Sequence, residues 1–198
     1  MDEQPNRGAQ RRAHILQAAI DVLASAGLNG LTMHAVATRA ELAKSVVLYH
    51  VRDRAGLLRL VTEEVALQRS AVDAPLYAMD GDPRQHLTHW LGGLFDMAQR
   101  ADSPIRLAWL LQLDAELPLA TLIGQSQDKH TVHRLAQLLA RGHAQACWHA
   151  ADAVRVATAV KALTDGYLLQ VLAAREDSAL CQRLRVTCRG TVMDLLVR

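Results

Sequence analysis

Residues 31–51, Leu31-Thr32-Met33-His34-Ala35-Val36-Ala37-Thr38-Arg39-Ala40-Glu41-Leu42-Ala43-Lys44-Ser45-Val46-Val47-Leu48-Tyr49-His50-Val51, read as two short helices joined by a tight corner. Thr32 is a good N-cap for the first, and Leu31 and Val36 stand at hydrophobic-staple spacing around it. Two helices crossing steeply need small or apolar residues where they meet. Ala35, Val36, Ala37, Ala40, Leu42 and Val47 supply them. The outward positions of the second helix, Lys44, Ser45, Val46, Tyr49 and His50, are then free. This is the pattern of a helix-turn-helix, whose second helix fits the major groove of DNA.

Working outward, Ile15, Ala18, Ala19, Val22 and Leu23 recur at helical spacing and predict an amphipathic helix over 9–26. Gly27 supplies a left-handed C′ position, with Leu28 folding back on the last turn. Asp53 is placed to cap a fourth helix that carries Leu57, Leu58, Val61 and Val65 toward Val72. Residues 1–8, with Pro5 and Gly8 among polar residues, read as a disordered tail. The segment 73–82, with Pro75, Gly81 and several acids, reads as a domain boundary. It separates a DNA-binding domain over 9–72 from a helical domain over 73–198. Asp82-Pro83 and Ser103-Pro104 are two helix starts, each an N-cap followed by proline at N1. They predict helices over 83–100 and 104–113. Further helices are expected over 117–145, with a break near Gly124, from Asp152 to 174, and from Ser178 to 196. No strand and no internal repeat is seen. The expected fold class is all-α, with about nine helices.

Apolar residues make up 51% of the 198, enough for a sizeable core. No apolar run is long enough to cross a bilayer, and residues 1–12 lack an apolar signal segment. Cys147, Cys181 and Cys188 are odd in number and lack paired metal spacing, which fits a reduced, cytoplasmic compartment. The net charge of +2 is uneven. Residues 1–60 hold eight Lys/Arg and five Asp/Glu, a balance of +3, whereas residues 61–198 balance at −1. The basic excess sits with the helix-turn-helix and suits a partner bearing phosphates.

Lys44, Arg52 and Arg54 are the cations placed to neutralise phosphates. Tyr49 can donate a hydrogen bond to a phosphate and rest its ring on a sugar or a thymine methyl. Thr32, His34, Ser45, Val46 and His50 complete the candidate DNA-facing set. The plainer alternative is a core helical hairpin with a solvated charged face.

Residues 11–60 resemble the DNA-binding domain of the TetR family of transcriptional regulators. Gly27-Leu28-Asn29-Gly30-Leu31-Thr32 matches the family's Gly-Leu-x-Gly-Leu-Thr, and Arg39-Ala40 matches its Arg-Ala. His50-Val51 falls on His-Phe, Arg52-Asp53-Arg54 on the basic segment, and Leu57-Leu58 on Leu-Leu. Three positions depart from the pattern. Glu41 stands at the family's corner glycine, where a non-glycine residue at positive φ is strained. Ala43 replaces a capping serine, at a cost of about 1 kcal/mol. Leu48 falls on the family's tyrosine, a frequent phosphate contact, and Tyr49 lies one residue on, about 100° round the helix.

The resemblance implies an all-α homodimer with a small N-terminal DNA-binding domain and a larger C-terminal domain holding an apolar ligand cavity. It implies that the last two long helices pair with their mates. Ala159, Leu163, Gly166 and Val171 on one helix, with Leu184, Cys188, Val192 and Leu195 on the next, are the candidate dimer seam. The segment Ala162–Gln170 resembles a motif of one C-terminal subfamily, which includes repressors related to the choline/betaine regulator. Trp90, Phe95, Met97, Trp109, Leu110, Leu113 and Tyr167 are candidates to line the cavity, and Arg106, Gln112 and Asp114 to orient a ligand. Plain core packing is the alternative for each.

His86 and His89, and His130 and His133, share helix faces, and His143, Cys147 and His149 lie close in sequence. No third ligand is fixed by spacing, so no metal is expected. No cofactor is expected either. Enzyme chemistry has no support: there is no Gly-rich phosphate loop, no nucleophile elbow and no convincing acid pair. The expected function is a ligand-responsive transcriptional regulator, a homodimeric repressor released from a palindromic operator by a small molecule. Its expected partners are double-stranded DNA, a second copy of itself and a largely apolar small-molecule effector, with no membrane partner. The alternative is a helical small-molecule-binding protein whose specific DNA binding is weakened or lost.

Overall fold

A computed structural model describes residues 7–100, 102–112, 118–174 and 176–197. Their elements are helices: α1 (Arg7–Gly30), α2 (Met33–Arg39), α3 (Lys44–Val51), α4 (Arg54–Val72), α5 (Ala74–Tyr77), α6 (Pro83–Gln99), α7 (Pro104–Gln112), α8 (Pro118–Ala144), α9 (Ala153–Ala173) and α10 (Ser178–Val197). The fold is all-α. The helix beyond the nine expected is α5, a single turn after Asp73 too short to display a helical period.

The chain divides into two compact units, Met1–Leu67 with Pro104–Gly124, and Gln68–Ser103 with Gln125–Arg198. This differs from the expected split at 72/73, because α7 belongs with the N-terminal helices. Its Leu107, Ala108 and Leu111 are buried in the same core as Ile15 and Leu23 of α1, Val36 of α2, Val47 of α3 and Leu57 of α4. Burying each such aliphatic side chain contributes roughly 1.5–3 kcal/mol relative to leaving it in water.

α1 starts two residues earlier than the periodicity predicts, so Arg7 and Gly8 are helical rather than part of a disordered tail. Residues 1–6 of that expected tail lie outside the described residues. A helix's first N–H groups have no intrahelical partner in any case, so Gly8 in the first turn does not stop it. At its far end α1 breaks at Gly27, whose φ of 67° and ψ of −169° lie in a region essentially reserved for glycine. Leu31 N–H then donates to Leu28 C=O at 3.2 Å, closing the turn into α2.

The second unit is built around α6, α8, α9 and α10. Asp82 caps α6 by accepting from Arg84 N–H at 2.9 Å, with Pro83 at N1, and Asp152 caps α9 by accepting from Arg155 N–H at 3.0 Å. α10 is capped by Asp177, which accepts from Leu180 N–H at 2.8 Å, and not by Ser178. α8 runs as one helix through Gly124. The interior of this unit contains a polar core. Asp73 accepts from the Trp90 indole N–H at 2.9 Å and from the Thr131 hydroxyl at 2.5 Å. Lys161, only 8% exposed, pairs with Asp165 at 2.5 Å and Asp128 at 3.2 Å, and Arg69 reaches the same Asp128 at 3.4 Å. Buried charges are tolerated only when paired in this way.

Candidate nucleic-acid interface

The helix-turn-helix corner is pinned from both sides. Glu41 N–H donates to Thr38 C=O at 3.2 Å, and Leu42 N–H to Ala37 C=O at 3.0 Å. These two bonds form a Schellman motif with Glu41 at C′, where glycine is the usual occupant. Glu41 accordingly has φ +53°, as its sequence position predicts. His14 of α1 bonds through Nε2 to Ala40 C=O at 2.8 Å. Arg39 reaches back to Asp21 with Nε at 3.0 Å and Nη2 at 2.5 Å, tying the end of α2 to α1. Sequence reasoning missed this pair, since the two residues stand on different helices with no spacing rule to join them.

α3 is anchored by Val47 at 0% exposure and Val51 at 6%. Its start has no side-chain cap: Ala43 occupies the N-cap position and offers only its carbonyl. The outward face carries exposed Lys44 and Ser45, half-buried Val46 and His50, and Tyr49 at 83% exposure. The rings of Tyr49 and His50 meet edge to face, with centroids 5.2 Å apart. Leu48, at the family's tyrosine position, is half-buried and has no polar atom to offer.

α3 ends in a γ-turn. Arg52 has φ 65° and ψ −58°, and Asp53 N–H donates across it to Val51 C=O at 2.8 Å. This turn is rare and strained. Asp53 then caps α4 by accepting from Gly56 N–H at 2.7 Å, as expected. The exposed Arg52 side chain is presented beside the end of α3. Arg54 is half-buried, with Nη2 3.4 Å from Leu28 C=O, so its head group is drawn toward the α1–α2 turn. Thr32 and His34 are exposed, and the Thr32 hydroxyl accepts from Ala35 N–H at 3.1 Å as the N-cap of α2.

Against the outward face of α3 lies a cleft of about 550 Å³, lined by Arg7, Gly8 and Arg11 of α1 and by Ser45, Val46, Tyr49 and His50 of α3. Arg7 and Arg11 were not among the expected site residues. Their i, i+4 spacing was readable in the sequence but was masked by assigning Arg7 to a tail.

The candidate ligand-pocket residues fall in both units. Trp90, Phe95 and Met97 are buried in the second unit, where Tyr167 is half-buried. Arg106, Trp109 and Leu110 belong to the first. There Leu110 packs against the helix-turn-helix core, Trp109 is 38% exposed, and Arg106 donates to Ala24 C=O at 2.8 Å. Leu113 and Asp114 lie outside the described residues.

The expected dimer seam needs correction at three positions. Val171, Cys188 and Val192 are at 0% exposure, enclosed by their own chain. An apolar stripe shows that a helix face is covered, but not whether its own chain or another covers it. Leu184 is half-buried. Ala159, Gly166 and Leu195 face outward, with Leu163 half-buried beside them. Ala159, Leu163 and Leu195 line a shallow groove of about 370 Å³ with Thr191 and Asp194. Burial also pushes the Cys188 thiol up to about 11, opposed by a hydrogen bond with Thr164.

Among the described residues no group of three His, Cys, Asp or Glu is placed to hold a metal ion. His143 and His149 stand with ring centroids 5.6 Å apart, and His86 Nδ1 is bonded to Arg141 Nη2 at 2.9 Å. No described helix is long and apolar enough to cross a membrane.

Residues 15–61 match the model of the family described as bacterial regulatory proteins, tetR family. Over these residues, about a quarter of the chain, the sequence is similar to the DNA-binding domain of the TetR family. It is 31% identical over 110 residues to the HTH-type transcriptional regulator BetI of Klebsiella pneumoniae (strain 342), an alignment covering 54% of this chain and 56% of that one. The chain thus spans about half the length of the curated relatives it matches. A protein of Saccharomonospora viridis solved in complex with choline shares the fold with a TM-score of 0.78 at 20% identity, covering 96% of this chain and 99% of that one. The SmeT–triclosan complex shares it with a TM-score of 0.77 at 17% identity, covering 96% and 92%.

Proposed function

We propose that this chain is a homodimeric, ligand-responsive transcriptional regulator, a repressor released from a palindromic operator by a small molecule. The observation that carries the reading is α3: a short helix buried along Val47 and Val51, with Lys44, Ser45 and Tyr49 exposed on its other side. Two such helices related by a two-fold axis would read two half-sites about one helical turn apart. Lys44 and Arg52 would contact phosphates, and Ser45, Val46 and His50 would meet base edges. The outward apolar residues Ala159, Leu163 and Leu195 would meet their counterparts on a second copy. The effector would bind in the second unit, near buried Trp90 and Phe95. A neighbour of the same fold binds choline and another triclosan, so both a quaternary amine and a chlorinated phenol belong among the first effectors tried. Coupling of about 1–3 kcal/mol between the sites is reciprocal, so DNA should weaken the ligand as the ligand weakens DNA. A cytoplasmic location goes with this role.

A second reading is favoured by two observations at the corner: Glu41 at φ +53° and the uncapped Ala43. On it the protein binds small molecules but has lost specific DNA recognition. A mobility-shift assay with DNA flanking the gene, at two salt concentrations, separates the two. Specific shifts that survive competitor DNA support the regulator. Salt-sensitive binding without sequence preference supports the second reading.

A further inference from the structure

The cleft between the first turns of α1 and the outward face of α3 has one wall, on α1, that lies outside the residues that the helix-turn-helix pattern singles out. Its α1 wall is Arg7, Gly8 and Arg11, and its α3 wall is Ser45, Val46, Tyr49 and His50. Arg7 and Arg11 are one helical turn apart and exposed, so both guanidiniums can reach the same strand. Among the described residues no carboxylate lines the cleft. Arg12, the next residue round the helix, points away and pairs with Glu63 at 3.8 Å. The site therefore has cationic fork donors on one wall and a hydroxyl, a phenol and an imidazole on the other. Guanidinium groups bind phosphate through two parallel N–H···O bonds, and a Tyr hydroxyl donates to a phosphate oxygen. An apolar ligand would find no closed chamber here.

We infer that this cleft receives one sugar–phosphate strand of the bound duplex, held by Arg7 and Arg11 of α1 across from Tyr49. The inference rests on the DNA-binding reading above and assigns it a second grip. Leu48 leaves α3 without a phosphate donor at that position, and the α1 arginines supply charge beside the same helix. Their contacts carry no sequence information, so they set affinity and register rather than operator choice.

The test compares the parent chain with the Arg7→Ala/Arg11→Ala and Arg7→Lys/Arg11→Lys double variants. Fluorescence anisotropy with a short random-sequence duplex across a salt series reads the slope of log K against log salt. Loss of two phosphate contacts flattens that slope by roughly 1.8, so a fourfold rise in salt weakens the alanine variant roughly tenfold less than the parent. The lysine variant, which keeps both charges, retains most of the parent slope. Thermal unfolding midpoints of the three proteins agree, because both side chains are exposed. An alanine variant with the parent's slope overturns the inference, and so does one that loses affinity without a change in slope. A parent chain that shows no salt-dependent binding to the duplex removes the DNA-binding reading itself, a different result from either.

Discussion

The main-chain carbonyl of Val51 occupies the space a side chain on Gly56 would need: a Cβ built at Gly56 would lie 2.0 Å from that oxygen. The γ-turn at Arg52 swings the Val51 carbonyl toward α4, and Gly56 is the residue that admits it. The end of α3 and the start of α4 are thus fitted by contact between two backbones.

Gly56→Ala should therefore force the turn open. A loss of roughly 2–3 kcal/mol is expected, because the clash is with backbone and no flexible side chain can yield. Urea unfolding followed by circular dichroism measures it, and a midpoint equal to the parent's would show that the turn relaxes freely.

Lys44→Ala removes an exposed cation from the first turn of α3. It should weaken binding to all duplexes alike and flatten the salt dependence by about one phosphate's worth, a slope change near 0.9. A slope identical to that of the parent would remove Lys44 from the phosphate contacts.

Glu41→Gly keeps both Schellman bonds and relieves a left-handed conformation that costs an L-residue about 1–2 kcal/mol. Glycine's greater freedom in the unfolded chain offsets part of this, so a net gain of about 0.5–1 kcal/mol is expected. DNA affinity should hold or improve. A fall in affinity would show that the carboxylate itself serves the corner.

The corner, the strain at Glu41 and most of the helix caps were readable locally, because each is a device whose partners lie within a few positions. Thr32, Asp53, Asp82 and Asp152 cap where their spacing predicts. What escaped reading depends on packing at long range. Arg39 finds Asp21 eighteen residues back, and α7 joins the N-terminal core across an intervening segment. The stripe of Cys188 and Val192 was seen as apolar, but periodicity cannot say which neighbour covers it. The α1 wall of the cleft was hidden because Pro5 and Gly8 made the first residues look unstructured.

The cysteines differ in reach. Cys181 and Cys188 are buried, and Cys147 is half-buried. A native-state titration with an aromatic disulfide near pH 8 should show Cys147 reacting first and the other two only on unfolding. The raised Cys188 pKa fixes the sign of its linkage. Its neutral thiol contributes stability fully below the unfolded value near 9, and that contribution is lost as pH rises through about 11. Three thiols reacting at one rate in the native state would contradict the burial.

Leu195→Asp places a charge in the groove beside Ala159 and Leu163 without touching the chain's own core. Analytical ultracentrifugation should show a shift toward monomer with an unchanged unfolding midpoint. Val192→Asp, at a fully buried position, should instead unfold the subunit. A Leu195→Asp protein that remains dimeric would move the self-association face elsewhere.

The hydrogen bond between Trp90 and Asp73 also gives the molecule a native optical gauge. Trp90 is sealed from water and bonded to a carboxylate, Trp148 is nearly sealed, and Trp109 is open. Emission from the first should be blue-shifted and resistant to iodide, and should respond when a small molecule disturbs the polar centre around Asp73 and Thr131. Titrations of candidate effectors can be followed by that light alone, with no dye and no DNA in the cuvette.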